Sequence, residues 1–542
     1  MRASRALLLG IVVLYALTGL GEPPLRAPDE IRVAEIGREM GVTGDFIVPR
    51  LGGAPFLEQP PLFYALVAGS FALFGVSDAT ARLPVAIATL ALLLMAFDLG
   101  RRLGGARLGL VATLVLATIS GFYRYGHRAM VDAWLALGVG LAYWAYARLL
   151  LEHDAAPGGR PGRPSPGLVL TVYAGAALAF LVKGPVGPLL VAVAILADLV
   201  RGRRGWMLRA RSHWAGLALL VVACSAWPLG LLLQEGVEGF RGFFVANVLN
   251  RIRPPEGSVG EHTQPPWFYL ASFSMLLPWV ATFPALWLAR RRAFATEAAR
   301  FLALVYPLGL LALSVPSSKR SLYLLPLLMP LAVSIACWLD AVARTSAVTR
   351  VERATLAVMG APFALLSALV GLVVLGLARA AASLRAPAPG LHAAGRALLD
   401  GFDLRSLRAT GPRVAAALFG LALLGHALPG LRANPERDMS EMGPDLRELG
   451  VLDGRLAGYQ LDERARATVP FRTGVILPNF GRPDELQRFL HERDDAHVLM
   501  SSEVFASLPE GEREVLTSVR DWSFGRHEYG LYAEGVPEAP DS

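Results

Sequence analysis

The chain has 542 residues, of which 54% are hydrophobic and only 18% are charged, and its mean hydropathy is +0.46. This composition excludes an ordinary soluble enzyme of this size and indicates a protein with many membrane spans. The net charge is +8, but Lys and Arg cluster between apolar runs, which is typical of membrane topology rather than of a nucleic-acid partner. Cys224 and Cys337 both lie inside apolar runs, so neither a disulfide framework nor a Cys-based zinc site is predicted.

The first apolar segment, residues 6–21, follows the charged start "MRASR". This pattern fits either a cleaved signal peptide or an uncleaved first span. Because no convincing small-x-small cleavage site precedes "GEPPLRAPDE", we favour an uncleaved span whose basic end is cytoplasmic.

Apolar runs long enough to cross a bilayer recur along most of the chain. With residues 6–21 they predict twelve spans, and the apolar helix at 62–76 is a re-entrant or interfacial helix or the first half of a broken span. The other predicted spans are 82–100, 108–123, 131–149, 167–182, 184–200, 214–232, 267–289, 299–314, 322–342, 354–378 and 414–428. The prediction is an all-α polytopic membrane protein with about 12–13 transmembrane helices. Residues 379–411 leave the later topology open.

Basic clusters between the spans predict the cytoplasmic loops. They are 101–107, 158–164, 201–213, 290–292 and 344–353. The other loops then face the periplasm of a bacterium. These are 22–61, the turn at 123–131, the turn at Lys183, the long loop 233–266, and 314–321.

The composition changes after about residue 432 to that of a soluble domain. Short strand-like and helix-like patterns alternate there, as in "GRLAGYQLDERARATVPF" and "HEYGLYAEG". We therefore divide the chain into a membrane domain, 1–431, and a small periplasmic α/β domain, 432–542, in which we expect no catalytic residue.

The first external loop contains "DEIRVAEIGREM", whose spacing predicts an amphipathic helix near the membrane surface. Pro28 suits the start of a helix, and the helix dipole favours a carboxylate in the first turn, at Asp29. Taken alone, Asp29 is equally well explained as a helix cap.

A series of motifs resembles the GT-C glycosyltransferases that use polyprenyl-phosphate sugars. The stretch "APDEIRVAEIGREM…GDFIVPRLGGAPFLEQPP" resembles the first periplasmic loop of the lipid A aminoarabinose transferases and, more distantly, of the protein O-mannosyltransferases. "VDAW", "LVKGPVGP", "HTQPPWFYL", "LLPW" and "SSKRSLYLLPLLMPLA" follow in the family's order, up to about Ala332. The chain also lacks a P-loop and a G-x-G-x-x-G motif between strand and helix, as expected for a donor that is not a nucleotide sugar.

The resemblance implies a role for each matching residue. Asp29 matches the proposed general base that activates the acceptor oxygen, and Glu30 is its neighbour in the catalytic pair. Cationic and polar side chains would bind the carrier and stabilise the departing phosphate. The residues implied for this second role are Arg32, Glu58, Gln59, Lys183, Lys319, Arg320, Tyr323 and Asp132.

Two positions depart from the aminoarabinose transferases. Where those enzymes typically have "EKPP", this chain has "EQPP", so Gln59 replaces a phosphate-contacting lysine. Val33 likewise replaces a tyrosine after the motif arginine. A neutral amide cannot neutralise phosphate charge, so another cation must compensate or the carrier must bind differently.

The one metal-like pair is Glu58 with His262, which the resemblance brings close together. Two ligands are too few for a closed zinc site, so a structural hydrogen bond is the favoured alternative. No cofactor is therefore predicted firmly, although a divalent metal stays open.

The leading hypothesis is an inverting glycosyltransferase of the bacterial inner membrane with its active site and C-terminal domain in the periplasm. It would transfer a sugar from an undecaprenyl-phosphate-type carrier to an acceptor that is a lipid such as lipid A, a glycan or a protein. The alternative is a transporter or flippase of lipid-linked sugars, which would need similar basic groups beside its spans. We expect membrane lipids, and no nucleic acid, among the partners.

Overall fold

The computed structural model describes residues 12–154, 164–253, 262–345, 347–361, 416–422, 435–493 and 495–534, with positions 10, 372 and 393. Its α-helices before residue 345 are α1 (Asp29–Thr43), α2 (Leu62–Phe74), α3 (Asp78–Gly104), α4 (Ala106–Thr118), α5 (Ser120–Tyr125), α6 (Val131–Asp154), α7 (Pro166–Lys183), α8 (Val186–Arg201), α9 (Ser212–Arg241), α10 (Asn250–Ile252), α11 (Phe268–Ala271), α12 (Phe283–Ala293), α13 (Glu297–Ser314) and α14 (Leu328–Arg344). Residues 12–17 are also helical.

Six of the described helical segments are long and apolar enough to cross a membrane. They are Asp78–Gly104, Val131–Asp154, Pro166–Lys183, Ser212–Ile252, Glu297–Ser314 and Ser321–Arg344. Phe268–Leu276 and Trp279–Ala293, bent by 107°, add a seventh if they form one span. The predicted class of helical polytopic membrane protein is confirmed. The predicted spans 354–378 and 414–428 lie largely outside the described residues, as does the start of 6–21.

The long external loop predicted at 233–266 is helical over its first half. α9 continues through a π-helical segment, Gly242–Leu249, into α10, so the helical run ends only at Ile252. Gly236, with φ of 64°, kinks this run. The apolar "GFFVANVL" packs against the first loop instead of standing in water, because Phe243 is buried beside Trp227 and Val48. Residues 254–261 of the predicted loop lie outside the described residues.

α6 and α7 pack with their backbones in direct contact. A Cβ atom added at Gly175 would lie 2.5 Å from the carbonyl oxygen of Gly138 and 2.7 Å from the amide nitrogen of Ala142. Small residues at a helix crossing allow this approach inside a membrane. The crossing aligns the start of α6, where Asp132 lies, with the end of α7, where Lys183 lies.

α1 begins at Asp29, as predicted, but it is not an exposed amphipathic helix. All residues from Glu30 to Met40 except Arg32 are buried. One side packs against α2, where a Cβ at Gly37 would meet the Val67 side chain at 2.7 Å. The other side packs against a helix of the C-terminal region, α16 (Glu463–Thr473). The polar residues of α1 therefore face protein rather than water.

The C-terminal region contains a five-stranded mixed sheet. It comprises β3 (Leu456–Tyr459), β4 (Asn479–Phe480), β5 (His497–Ser501), β6 (Leu516–Phe524) and β7 (His527–Glu534), in the order β4-β3-β5-β7-β6. The two strands numbered before these, β1 (Arg50–Leu51) and β2 (Ala54–Pro55), form a separate hairpin in the first loop. The pairs of β3 are parallel, whereas β7 is antiparallel to both neighbours. The helices of this region, besides α16, are α15 (Met442–Glu448), α17 (Pro483–His491), α18 (Ser502–Ser507) and α19 (Glu510–Val515). The boundary near residue 432 stays a prediction.

Arginine contacts attach the C-terminal region to the membrane region. Arg472 forms two hydrogen bonds, of 2.8 and 3.1 Å, to the carboxylate of Asp78 at the start of α3. Arg466 donates to the carbonyl oxygen of Leu51 at 2.7 Å. Together these contacts hold α16 against the start of α3 and against β1.

A buried ion pair fixes the start of α1 to α3. The Nε atom of Arg82 lies 2.9 Å from Oε1 of Glu30, and the two side chains are only 1% and 2% exposed. Oε1 of Glu30 also accepts from the backbone amide of Ala129 at 2.9 Å. The remaining donors of Arg82 bind the carbonyl oxygens of Leu20, Pro23 and Pro24. Three separate segments thus meet at one pair of charges.

We expect Arg82→Met to destabilise the protein strongly, because it leaves the buried carboxylate of Glu30 uncompensated. Breaking a buried pair in this way costs about 3–5 kcal/mol. The measurement is the midpoint of thermal unfolding in detergent. The matched control is Arg102→Met on the same helix, which removes a partly exposed pair with Asp98 and should cost about 1 kcal/mol or less. Equal midpoints for the two variants would contradict a structural role for Arg82.

Candidate active site

Asp29, the predicted base, lies between two arginines. Its Oδ2 accepts from Arg320 at 3.2 Å, and its Oδ1 lies 3.6 Å from the guanidinium of Arg32 one turn later in α1. Burial alone would raise the pKa of this carboxyl, but Arg320, Arg32 and the more distant Arg437 outweigh it and hold the pKa below its usual value. Asp29 is therefore a charged acceptor at neutral pH.

Arg320 connects Asp29 electrostatically with a second ion pair. Asp132 binds Nζ of Lys183 at 2.5 Å, and these side chains are 2% and 10% exposed. Burial alone would lower the pKa of Arg320, but Asp29, Asp132 and Tyr323 outweigh burial and raise it. The ammonium of Lys183 also lies 4.5 Å from the centroid of the Tyr323 ring, a cation–π distance. The predicted residues 29, 132, 183, 320 and 323 thus form one connected group.

A cavity of about 280 Å³ opens beside Lys183. Its polar lining includes Lys183, Glu58, Gln59, Asn247 and Arg251. Its apolar lining comes from several helices and includes Leu135, Val186, Leu189, Leu190, Phe243, Val248, Ile252 and Leu313. A mostly apolar cavity with a few convergent polar groups is typical of a ligand site.

Glu58, late in the first loop, interacts with Arg251 of α10 and with Arg32 of α1. Its carboxylate lies 3.6 Å from the guanidinium of Arg251, and it is the strongest charge partner that raises the pKa of Arg32. Gln59, next to it, is 9% exposed and lines the cavity. Arg251 therefore supplies a cation in the cavity that contains Gln59, the position where the aminoarabinose transferases typically have lysine.

Glu30, the predicted second catalytic residue, has a structural position instead. Both carboxylate oxygens bind Arg82, and one also accepts from Ala129. Burial raises its pKa, but Arg82 outweighs burial and lowers it. Since its oxygens are committed to these donors, we correct the expectation and interpret Glu30 as a residue that positions Asp29.

Lys319 was predicted to contact the carrier phosphate, but its ammonium binds protein carbonyls. Nζ donates to Gln264 at 3.0 Å and to Pro316 at 2.5 Å, and the residue is 3% exposed. Its backbone amide also donates to His262. Lys319 therefore connects two loop segments. Its neighbour Arg320 is the residue that contacts Asp29.

The predicted metal pair of Glu58 and His262 gains no support. Glu58 pairs with Arg251, as described above, and His262 is exposed with φ of 57°. Within the described ranges, His, Cys, Asp and Glu side chains form no group of three or more that could hold a metal ion.

Sequence reasoning missed three contributors to this site. Glu463, in the region where no functional residue was expected, binds Nη1 of Arg32 at 2.5 Å. Arg251 and Asn247 come from the segment taken as a loop. Of the 52 Lys and Arg residues only Lys183 and Lys319 are lysines, but the motifs had already indicated both, so lysine usage does not point to the three missed residues.

A larger cavity, of about 1000 Å³, lies elsewhere, between α12, α13 and α14. Arginines and apolar side chains line it, and its lining among the described residues includes no carboxylate. It contains none of the predicted site residues and lies beside basic segments predicted to be cytoplasmic. The smaller cavity, beside Lys183, is therefore the better candidate for chemistry.

The chain is similar to known membrane glycosyltransferases. Residues 58–228 match the model of the dolichyl-phosphate-mannose-protein mannosyltransferase family. The chain is 30% identical over 339 residues to an undecaprenyl phosphate-alpha-4-amino-4-deoxy-L-arabinose arabinosyl transferase of Pseudomonas aeruginosa, and 29% identical over 329 residues to that of Edwardsiella ictaluri. These alignments span 61% and 60% of this chain, and the chain covers 59% and 57% of the two relatives.

Solved structures extend the likeness to the whole chain. ArnT from Cupriavidus metallidurans, bound to undecaprenyl phosphate, aligns with a TM-score of 0.72 at 22% identity and covers 98% of both chains. An oligosaccharyltransferase from Archaeoglobus fulgidus aligns with a TM-score of 0.53 at 12% identity, over 98% of this chain and 74% of its own. The chain therefore has the GT-C fold, and its resemblance to the aminoarabinose transferases, first indicated by its motifs, is confirmed.

Proposed function

We propose that this chain is an inverting glycosyltransferase that uses a sugar linked to an undecaprenyl-phosphate-type carrier. The observation that carries the proposal is the connected group formed by Asp29, Arg320, Asp132 and Lys183 at the edge of a largely apolar cavity. An apolar cavity suits the lipid part of the carrier, while Lys183 and Arg251 suit its phosphate. Similarity to an undecaprenyl phosphate-alpha-4-amino-4-deoxy-L-arabinose arabinosyl transferase, and to ArnT bound to undecaprenyl phosphate, supports the same donor class.

The residues suggest a single displacement. Asp29 takes the proton of the acceptor oxygen as that oxygen attacks the anomeric carbon, and the bond from this carbon to the carrier phosphate breaks. The negative charge that develops on the phosphate is stabilised by Lys183 and Arg251, with Arg320 between the two parts of the site. One displacement inverts the configuration. The sugar is a pentose or hexose, and an aminoarabinose is the first candidate because the chain is similar to aminoarabinose transferases.

The proposed location is the bacterial inner membrane, with the site and the C-terminal region on the periplasmic face. The support is the charge pattern of the loops, because the arginine-rich segments 101–107 and 201–213 lie on the opposite side in the predicted topology. The acceptor is then a component of the cell envelope, namely a lipid, a glycan or a protein. A flippase of lipid-linked sugars stays the second candidate, because it would bind the same lipid in the same cavity but would not need Asp29 as a base.

Asp29→Asn should abolish sugar transfer while the protein stays folded. An amide cannot accept the proton, and a general base contributes about 10²–10⁴-fold to rate. The assay is transfer in proteoliposomes with a radiolabelled polyprenyl-phosphate sugar and a cell-envelope extract as acceptor. The matched control is Asp453→Asn, an exposed aspartate of the C-terminal region. Unchanged transfer by Asp29→Asn would reject Asp29 as the base, and lipid translocation without transfer would favour the flippase.

Arg320→Gln should move the acid limb of the pH–rate profile to higher pH. Arg320 contributes most to lowering the pKa of Asp29. Without it, burial raises that pKa, so Asp29 becomes protonated at a higher pH as the pH falls. The measurement is kcat/KM for transfer from pH 4.5 to 8 in wild type and variant. A uniform loss of rate with an unmoved limb would show that Arg320 does not tune Asp29.

Lys183→Met should weaken binding of the donor. A hydrogen bond to a charged group contributes about 1.5–3 kcal/mol, so the donor KM should rise roughly 10-fold to 100-fold. Lys183→Arg should recover part of this loss because it keeps the charge. Arg241→Met removes an exposed cation of α9 that does not line the cavity and should leave the donor KM unchanged. A donor KM that does not respond to Lys183→Met would place the phosphate elsewhere.

A further inference from the structure

Arg32 divides its guanidinium unequally between two carboxylates. Its Nη1 atom donates to Glu463 at 2.5 Å, whereas its Nη2 atom lies 3.6 Å from Oδ1 of Asp29. A guanidinium that donates to a carboxylate does so at about 2.7–2.9 Å, so Arg32 pairs with Asp29 without a hydrogen bond to it. Among the described residues no hydrogen bond reaches Oδ1 of Asp29, because the bond from Arg320 goes to Oδ2. One oxygen of the proposed base is therefore left to accept a proton.

Glu463 is held in place by the C-terminal sheet. It is the first residue of α16 and follows Asp462, whose Oδ1 accepts from the backbone amide of Ala465 at 3.0 Å. The hydroxyl of Tyr529 in β7 lies within hydrogen-bond distance of both oxygens of Asp462, at 3.0 and 2.9 Å, and Tyr529 is 1% exposed. The side-chain cap stabilises the start of α16, and the buried tyrosine fixes the cap. Glu463 thus meets Arg32 from a fixed position.

The charge of Arg32 is compensated mainly by residues other than Asp29. Its guanidinium carbon lies 5.2 Å from the centroid of the Phe56 ring, a cation–π distance. Burial would lower the pKa of Arg32, but four groups outweigh burial and raise it; in decreasing order they are Glu58, Glu463, Tyr64 and Asp29. Asp29 contributes least of the four. Arg32 is therefore held by its other partners.

The stability of the fold gives little reason for the contact between Arg32 and Glu463. The Glu463 side chain is 43% exposed, and ion pairs of such exposed side chains contribute little to stability. Arg466 and Arg472 attach α16 independently. The helix dipole favours a carboxylate in the first turn, but Glu510 at the start of α19 meets that preference without an ion pair in the described part of the chain. The effect on Asp29 explains the contact better.

Without this partner, Arg32 would close on the base. Burial would raise the pKa of Asp29, but three arginines outweigh burial and lower it; in decreasing order they are Arg320, Arg32 and Arg437. A carboxylate that accepts hydrogen bonds from two guanidiniums is stabilised further in its charged form, which makes it a weaker base. The contact with Glu463 keeps Arg32 out of such an arrangement.

We propose that Glu463 is a positioning residue of the C-terminal region, which holds Arg32 off Asp29 and so keeps one carboxylate oxygen available for the acceptor proton. This inference rests on the proposed function, in which Asp29 is the base. Glu463 acts through Arg32 and touches no reacting atom. The C-terminal region then takes part in the chemistry of the site as well as in its shape.

The first test uses Arg320→Gln as the background, since the acid limb of its pH–rate profile is expected at higher pH than in wild type. Adding Glu463→Gln frees Arg32 to move onto Asp29, so the acid limb of kcat/KM should return toward lower pH. The sign follows because a closer cation favours the charged carboxylate. The matched control, Glu510→Gln, removes a first-turn carboxylate from another helix of the same region and should leave the limb unmoved.

In the wild-type background, Glu463→Gln should lower kcat at neutral pH by about 3-fold to 30-fold, which is part of the 10²–10⁴-fold that a general base contributes. The donor KM should stay unchanged, because neither Glu463 nor Arg32 lines the described part of the cavity beside Lys183. Glu463→Asp keeps the carboxylate and should recover part of the loss. In an Arg32→Gln background, Glu463→Gln should have no further effect. Thermal midpoints check that each variant is folded.

A second readout needs no turnover. Diazo reagents esterify carboxyl groups in their protonated form, so the pH dependence of labelling follows the protonation of Asp29, whose side chain is 25% exposed. Labelling is read by peptide mass spectrometry of the purified full chain. In the Arg320→Gln protein, the midpoint of labelling at Asp29 should move to lower pH when Glu463→Gln is added. Glu510→Gln should not move it.

An acid limb and a labelling midpoint that both ignore Glu463→Gln would overturn the proposal, and so would an equal displacement by Glu510→Gln. A loss of rate from Glu463→Gln that persists in the Arg32→Gln background would overturn it too, because Glu463 would then act by another route. Failure of the proposed function has a different signature: Asp29→Asn would leave transfer unchanged, while the labelling of Asp29 would still depend on Glu463.

Discussion

The ion pair between Glu30 and Arg82 is the constraint on which the candidate site depends. It fixes the first turn of α1 against α3 and against the turn at Ala129. Asp29 precedes Glu30 in the chain, so its position relative to the membrane helices is set by a neighbour with no free oxygen. Two adjacent carboxylates thus have different surroundings: the deeply buried Glu30 is bound by its partner on α3, and the less buried Asp29 contacts Arg320 and Arg32.

The site is assembled from distant parts of the chain that neutralise one another. Asp29 forms ion pairs with Arg320 and Arg32, and Arg32 also pairs with Glu463. Asp132 pairs with Lys183. Buried charges are costly unless paired, and this network pairs them before any substrate arrives. In the proposed function, the donor phosphate would therefore meet cations already oriented by carboxylates. The contact with Glu463 makes the C-terminal region a part of the site.

The sequence predicted the fold class and the start of α1 because hydropathy and Pro-Asp spacing are local signals. The motif resemblance also pointed to residues 29, 132, 183, 320 and 323, which the structure brings into one connected group; their roles stay a prediction. It did not separate Glu30 from Asp29, because their burial depends on α3, over 50 residues later. The helical path through residues 242–252 was missed because "GFFVANVL" is stabilised by packing on the first loop rather than by local propensity. Glu463 was missed for the same reason: its partner is more than 400 residues away.

The rarity of lysine in this chain has a chemical consequence. Arginine stays protonated and reacts poorly with acylating reagents, whereas a lysine amine becomes a nucleophile once it loses its proton. Apart from the chain terminus, primary amines occur only at Lys183, beside the cavity, and at Lys319, which is sealed by carbonyl oxygens. Isotope or covalent tagging of amines would therefore report on the interior of this protein and hardly at all on its surface.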